Sequence, residues 1–390
     1  MARSEPHEIV RDLLRLRRWA VGVLSASENI DATGIEGISA ETWRLFLSLE
    51  RCAAILLDRI TQPDATLVPG DIGLAALRKV SATESQTFLS AKIEGRELAA
   101  IARRVSWPVI VLKGGVGAMS GIGPTVPVGD IDVLVPPEHV ADMVQVLATA
   151  GFGAPTRDLD HHHALSPATD RLAVEVHWTT HDDGHPLEAD VWTRTREMSS
   201  VSPLQSLAEV DHLVHLVEHA VDTHRERSVS LRDIVLIADS AARCTPEEIE
   251  DARKRLAWSK AMPELLGFAI AMRSNPSGAD PFFIGCASFY SAVVLADDLP
   301  RALSSQGALA FVTALDLGRV PRGGTFNRTL KWRGTSVERL SAITEKFPAI
   351  GKIFIAPARL AYYSLVAAIT IPVIRRTRNK ALTSLAMQTH

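Results

Sequence analysis

Gly129-Asp130-Ile131-Asp132-Val133-Leu134-Val135 is the stretch from which the architecture can be read. Its apolar run predicts a core strand over 130–135, with two acids at the entry end. On a strand, residues i and i+2 project from one face, so the Asp130 and Asp132 carboxylates stand a few ångströms apart. Such a pair repels itself unless a cation neutralises it. Mg²⁺ suits the position, because this hard ion takes one or two carboxylates and leaves its other positions to substrate phosphates. The competing reading is a solvated strand edge with two exposed acids, and the apolar run argues against it.

Working upstream, Val109-Ile110-Val111-Leu112 predicts a buried strand that ends in the turn Lys113-Gly114-Gly115. Glycines there let the backbone approach a phosphate and aim N–H groups at it, and a following helix adds its positive N-terminal end. Strand-ending glycines are also common in ordinary turns. Downstream, Pro136-Pro137 opens a helix with Val140, Met143, Val144 and Leu147 on one face and Gly151 at C′. Leu172 to Trp178 alternates as a strand with Glu175 between two valines. If that strand neighbours the Asp strand, Glu175 joins the cluster. Three carboxylates holding metal ions would clamp an in-line displacement at phosphorus. His177 shares the face of Glu175, whereas Trp178 points to the other side, into the core.

Gly-Gly, then Asp-x-Asp between apolar residues, then a third acid on a later strand: this succession resembles the nucleotidyltransferase (polymerase β-like) superfamily. More narrowly, Leu112-Lys113-Gly114, residues 129–135 and Val174-Glu175-Val176-His177-Trp178 are similar to the bacterial family of uncharacterised nucleotidyltransferases, as are Asp211–Leu216 and Leu231–Ile234 further on. The resemblance covers about 108–240 and implies a small mixed-sheet α/β (α+β) core, flanked by N- and C-terminal helical segments. It implies an NTP, ATP foremost, as substrate with Mg²⁺, and transfer of a nucleoside monophosphate to an acceptor. Asp130, Asp132 and Glu175 take the catalytic and metal-binding roles in this reading. Lys113, Gly114 and Gly115 take the phosphates, and His177 lines the nucleotide pocket. Family members often accompany natural-product or polysaccharide biosynthesis, so the acceptor is expected to be a small molecule, a peptide or a protein. The family usually carries an Arg four residues before the first Asp; here the position is Val126. That departure keeps a non-catalytic nucleotide-binding or scaffold protein as the alternative.

Around this core the pattern is helical. Ile9 to Trp19 carries a helix-spaced stripe, a helix capped by Ser39 is expected to run to Leu57, and another covers about 75–104. After residue 200, Ser206 with Glu209 and Thr245 with Glu248 have capping-box spacing, the latter around Pro246. The expected divisions are 1–105, a helical segment; 106–200, the α/β core; and 201–390, a helical domain. Ten of 13 histidines fall between 161 and 224, and His212, His215 and His219 share a helical face. Beside Asp233 they raise a second alternative, a His/Asp metal-dependent hydrolase, although core histidines are the commoner reason for such a pattern.

Composition narrows the classes. A net charge of −3 argues against gripping nucleic acid by bulk charge. Three cysteines without a CxxC pair offer neither a disulfide framework nor a thiolate zinc cluster, and no apolar signal core is visible near the start, so a cytoplasmic protein is expected. Leu360 to Ile374 is uncharged but short of the roughly 20 residues a bilayer span needs, and it contains Pro372. A buried or dimer-forming helix is expected, with peripheral membrane contact through 353–380 as the other reading.

Overall fold

The computed structural model describes residues 5–25, 32–63, 65, 67–158, 162–166, 171–180, 189–223, 229–273, 280–295 and 356–387. These fall in two compact units, one drawn from 15–224 and 229–281, the other from 1–14, 225–228 and 282–390.

The larger unit is built on the sheet that the Asp-x-Asp stretch predicts. Its strands are β1 (Ile110–Val111), β2 (Asp130–Leu134), β3 (Ala154–Asp158), β4 (His162–Ser166), β5 (Ala173–His177), β6 (Thr195–Glu197) and β7 (Gln205–Leu207). They lie in the order β3-β4-β5-β2-β1-β7-β6, with β2 parallel to β5 and β1 parallel to β7, and the other pairs antiparallel. The mixed α/β class is therefore as expected.

Alternation sorts the two faces of this sheet. Ile131, Val133, Val174 and Val176 enter the main core with Leu98, Ile101, Met119, Met143, Leu147 and Phe152. Trp178 packs against this core, as its register predicts. The residues between them, Asp130, Asp132, Glu175 and His177, therefore stand on the opposite face. That face carries a small apolar cluster of Ile110, Leu112, Leu134, Val191 and Leu207.

The helices are α1 (Pro6–Leu24), α2 (Ala40–Glu50), α3 (Ala53–Ile60), α4 (Asp71–Ala102), α5 (Lys113–Ser120), α6 (Val140–Thr149), α7 (Glu209–Glu218), α8 (Leu231–Ala241), α9 (Pro246–Leu256), α10 (Ala261–Arg273), α11 (Phe283–Val294) and α12 (Ala356–Ala386). Several expectations hold at atomic detail. Ser39 caps α2 by accepting from Thr42 N, Gly151 adopts φ +85 just beyond α6, and Thr245 with Glu248 closes the capping box of α9 with Pro246 in its first turn.

Three expectations are corrected. The helix expected from Ser39 to Leu57 is two helices, broken at Arg51 in the left-handed region (φ 51) and at Cys52. Tertiary partners hold this break: Glu50 is drawn to Arg17 and Leu231 N, while Glu84 accepts from Ala54 N at the start of α3. Ser206 is no helix cap; it lies in β7, paired with Val111 of β1, and α7 starts at Glu209 without a side-chain cap. Lys113-Gly114-Gly115 forms the first turn of α5 itself, with Lys113 at φ 53, rather than a loop before it.

In the smaller unit, α12 runs unbroken through Pro372, and Arg378 Nη1 donates to Ser288 Oγ of α11 at 3.0 Å. No described helix is long and apolar enough to cross a membrane.

Candidate active site

Strand register builds the site. Asp132 of β2 is the direct partner of Glu175 on parallel β5, and Leu134 is the partner of His177. The side chains of Asp132, Glu175 and His177 consequently converge, with ligand atoms all within 4.8 Å of one another. His177 Nε2 donates to Asp132 Oδ1 at 2.9 Å and stands 3.5 Å from Glu175 Oε2. From the start of α5, Lys113 Nζ reaches the same Asp132 oxygen at 2.6 Å. Asp130 shares this face one pleat earlier, at the exposed end of β2, and its carboxylate lies outside the group of three.

The charges are strongly coupled. Burial opposes ionisation of Asp132, yet Lys113 and the His177 hydrogen bond outweigh it and hold the carboxyl down at about 2. Burial likewise opposes the Lys113 ammonium, but Asp132, Asp130 and Glu175 raise its pKa above the ordinary lysine value. His177 follows the same logic: burial is overcome by hydrogen bonds to Asp132 and Glu175, so its protonated form is favoured. Asp130 is pushed up to about 6 by lost solvation and by the charges of Asp132 and Glu175. Because Asp130 still meets solvent, repulsion from the two neighbouring carboxylates carries more of that rise than burial does. The cluster thus holds more negative charge than its internal cations settle comfortably. It is an oxygen-rich donor set of the kind hard divalent cations take.

The glycines differ in what they make room for. A Cβ on Gly115 would lie 2.9 Å from Val111 Cγ1, so its small size serves packing of α5 on β1. A Cβ on Gly114 would lie 3.0 Å from Arg232 Nη2, with Val126 Cγ2 at 3.9 Å. On Gly129, the nearest atom would be Arg51 Nη2 at 3.1 Å. Val126 itself is buried. The arginines at the site mouth therefore come from outside the strand region, Arg51 from the α2–α3 break and Arg232 from α8. Sequence reasoning passed over Arg51 and took in Arg232 only within the Leu231–Ile234 resemblance, without a role. Arg51 sits in no motif, and only its left-handed backbone, which sequence does not reveal, marks it.

The histidine helix α7 packs beneath. His212 and His215 are both buried, with His212 hydrogen-bonded to the Lys113 backbone. Burial pushes His212 down to about 4 and His215 well below its ordinary value, the latter reinforced by the Lys113 charge. His219 begins the wider turn after α7, with its ring 6.0 Å from that of His215. Asp233 caps α8 with Ser230, and the described residues do not bring it together with His212 and His215 as ligands. His161, His181, His185 and His224 lie outside the described residues. A cavity of about 630 Å³ opens between α3, α4 and α8, and none of the site carboxylates lines it.

A search of curated proteins returns no match. The family model described as uncharacterised nucleotidyltransferase matches residues 40–268, well over half of the chain, and takes in the sheet, the acid cluster and both arginines. Nucleotidyl transfer is the general activity that this match supports, and with the match covering the whole site the chain belongs to the uncharacterised nucleotidyltransferase family.

Proposed function

We propose that the protein binds an NTP with Mg²⁺ and passes its nucleoside monophosphate to a small-molecule, peptide or protein acceptor. The observation that carries this reading is the convergence of Asp132 and Glu175 from two parallel strands, with Asp130 on the same face. Nothing in a core fold alone requires three carboxylates on one sheet face, and their mutual repulsion needs a cation. Bound Mg²⁺ supplies Lewis-acid stabilisation of charge on the phosphates. Mg²⁺ prefers oxygen ligands, so Asp132 and Glu175 would hold it, with Asp130 on the same face at the exposed end of β2, and His177 keeps Asp132 oriented through Nε2.

The remaining work belongs to this chain's own residues. Lys113 swings from Asp132 to a phosphate oxygen once the carboxylate charge is otherwise settled, and the first turn of α5 presents backbone N–H groups to the phosphates. The cavity between α3, α4 and α8 does not touch the carboxylates, so the acceptor approaches the open end of β2 instead.

The test is thermal stability with each NTP, with and without Mg²⁺, for the wild type and Asp132→Asn. A ligand at a hundredfold its Kd stabilises by about 2.7 kcal/mol. A Mg²⁺-dependent rise with at least one NTP, absent in Asp132→Asn, is expected. No rise with any NTP at millimolar concentration refutes the proposal.

A further inference from the structure

Among the described residues, the two arginines at the site mouth are held by few side-chain contacts. Other half-buried arginines of the larger unit are tied down, Arg171 to Glu94 and Glu97, Arg194 and Arg255 to Asp211, Arg243 to Glu209, and Arg15 to the backbone carbonyls of Gly34 and Glu36. Arg51 is half-buried, yet among the described residues no carboxylate stands within ion-pair distance of it. Arg232 is 14% exposed; its nearest carboxylate oxygen is Asp233 Oδ1 at 3.7 Å, and its Nε has no hydrogen-bond partner among the described residues. Burial and the neighbouring Arg232 guanidinium together disfavour the Arg51 charge, outweighing the pull of Asp233, Asp130 and Glu84. With no close ion pair on Arg51 among the described residues and a single long one on Arg232, the two cations stand where an anion between them would relieve their repulsion.

Their placement is deliberate in two further respects. Arg51 holds a left-handed backbone (φ 51) at a helix C-terminus, a position where glycine is ordinarily preferred. Strain of this kind concentrates at functional sites. The two arginine segments are also locked together. Glu50, the residue before Arg51, is 1% exposed; it accepts from Leu231 N, the residue before Arg232, at 2.7 Å, and from Arg17 Nη1 at 2.9 Å. Their tips then rest against the two glycines that flank the acid cluster, Arg51 Nη2 over Gly129 and Arg232 Nη2 over Gly114.

We propose that Arg51 and Arg232 form a preorganised clamp for the triphosphate of the NTP, holding the outer phosphates while the carboxylate side of the site holds the metal. This rests on the nucleotidyl transfer reading and deepens it. Planar guanidinium forks suit phosphate oxygens, often in bidentate pairs. Glycine at 114 and 129 keeps the approach open, since a Cβ at either position would press on the guanidinium. When pyrophosphate leaves, the same groups stabilise the charge that develops on it.

The test is equilibrium binding by calorimetry on the full chain, using the Mg²⁺ complex of whichever NTP stabilises the wild type, and the matching nucleoside monophosphate. Variants are Arg51→Gly, Arg232→Gln and Arg232→Lys. For Arg51→Gly and Arg232→Gln, NTP affinity is expected to fall at least tenfold, while monophosphate affinity changes by less than threefold. Arg232→Lys should recover part of the loss. Arg51→Gly suits the left-handed backbone, so its unliganded melting temperature should be at or above that of the wild type. Undiminished NTP binding in both folded variants overturns the clamp and leaves nucleotidyl transfer standing. Equal losses for NTP and monophosphate, with lowered melting temperature in both, overturn it in favour of a structural role. A wild type that binds no NTP removes the nucleotidyl transfer reading and the clamp with it.

Discussion

Glu50→Gln is the substitution whose consequence follows most directly from the geometry. Both Glu50 carboxylate oxygens lie 2.9 Å from Arg17 Nη1, one of them also accepts from Leu231 N at 2.7 Å, and the side chain is 1% exposed. Glutamine keeps the shape and one acceptor, so the Leu231 bond is retained. It turns an N–H₂ group toward the Arg17 donors and removes the negative charge. Arg17 keeps Asp280, 2.6 Å from its Nε, so the cation is not wholly orphaned. Removing one partner from a buried pair costs about 3–5 kcal/mol, and the surviving Asp280 contact places this case near 3 kcal/mol. At roughly 2–4 °C per kcal/mol for a unit of this size, the melting temperature should fall by roughly 6–12 °C. Chemical denaturation of Glu50→Gln, Arg17→Met and the double variant then gives a coupling energy of about 2 kcal/mol. NTP affinity should fall too, because Arg51 and Arg232 lose their common anchor. A loss below 0.5 kcal/mol, or no coupling to Arg17, would refute the reasoning.

Three other outcomes are expected. His212 stays neutral in the fold down to about 4, whereas the unfolded chain takes up a proton near its ordinary 6.5. Unfolding therefore gains protons, and stability should fall by about 3 kcal/mol as the pH drops through that window. Urea midpoints from pH 7.5 to 4.5 measure it, and a His212→Gln variant with an unchanged slope would exclude His212 as the cause. Gly115→Ala forces Val111 aside and should lower stability by about 1–3 kcal/mol, whereas Gly114→Ala meets only the flexible end of Arg232 and should weaken NTP binding more than it lowers the melting temperature. Equal stability losses in the two variants would contradict that difference. Thr245→Ala removes one half of the α9 capping box and should cost about 1 kcal/mol in a thermal melt.

Much of the site was legible because its logic is local. Period-2 alternation put Asp130 and Asp132 on one face and Glu175 with His177 on another strand's equivalent face, and neither statement needs a third dimension. The sheet turned those alternations into a site by setting β5 beside β2 in parallel register, so that Asp132 meets Glu175 directly. The roles of the glycines were less legible. Two adjacent glycines look alike in sequence, but Val111 stands against one and Arg232 against the other. Ser206 and Glu209 show the reverse failure. Their spacing satisfies a capping box, but β1 claimed Ser206 as a strand partner, and that long-range pairing outweighs a local cap.

What the sequence by itself determined is the character of the core: an apolar strand carrying Asp-x-Asp, a buried strand ending at two glycines before it, and a third acid on an alternating strand. Periodicity and turn chemistry act over a few residues, so they can be read without knowing what packs where. Only the tertiary structure decided which cations face those acids. Lys113 and His177 reach Asp132 through sheet register and the start of α5. Arg51 and Arg232, 181 positions apart in sequence, come together through a buried Glu50. Charges act through space, and in a buried site of low polarizability a neighbour brought near by folding outweighs any neighbour in sequence.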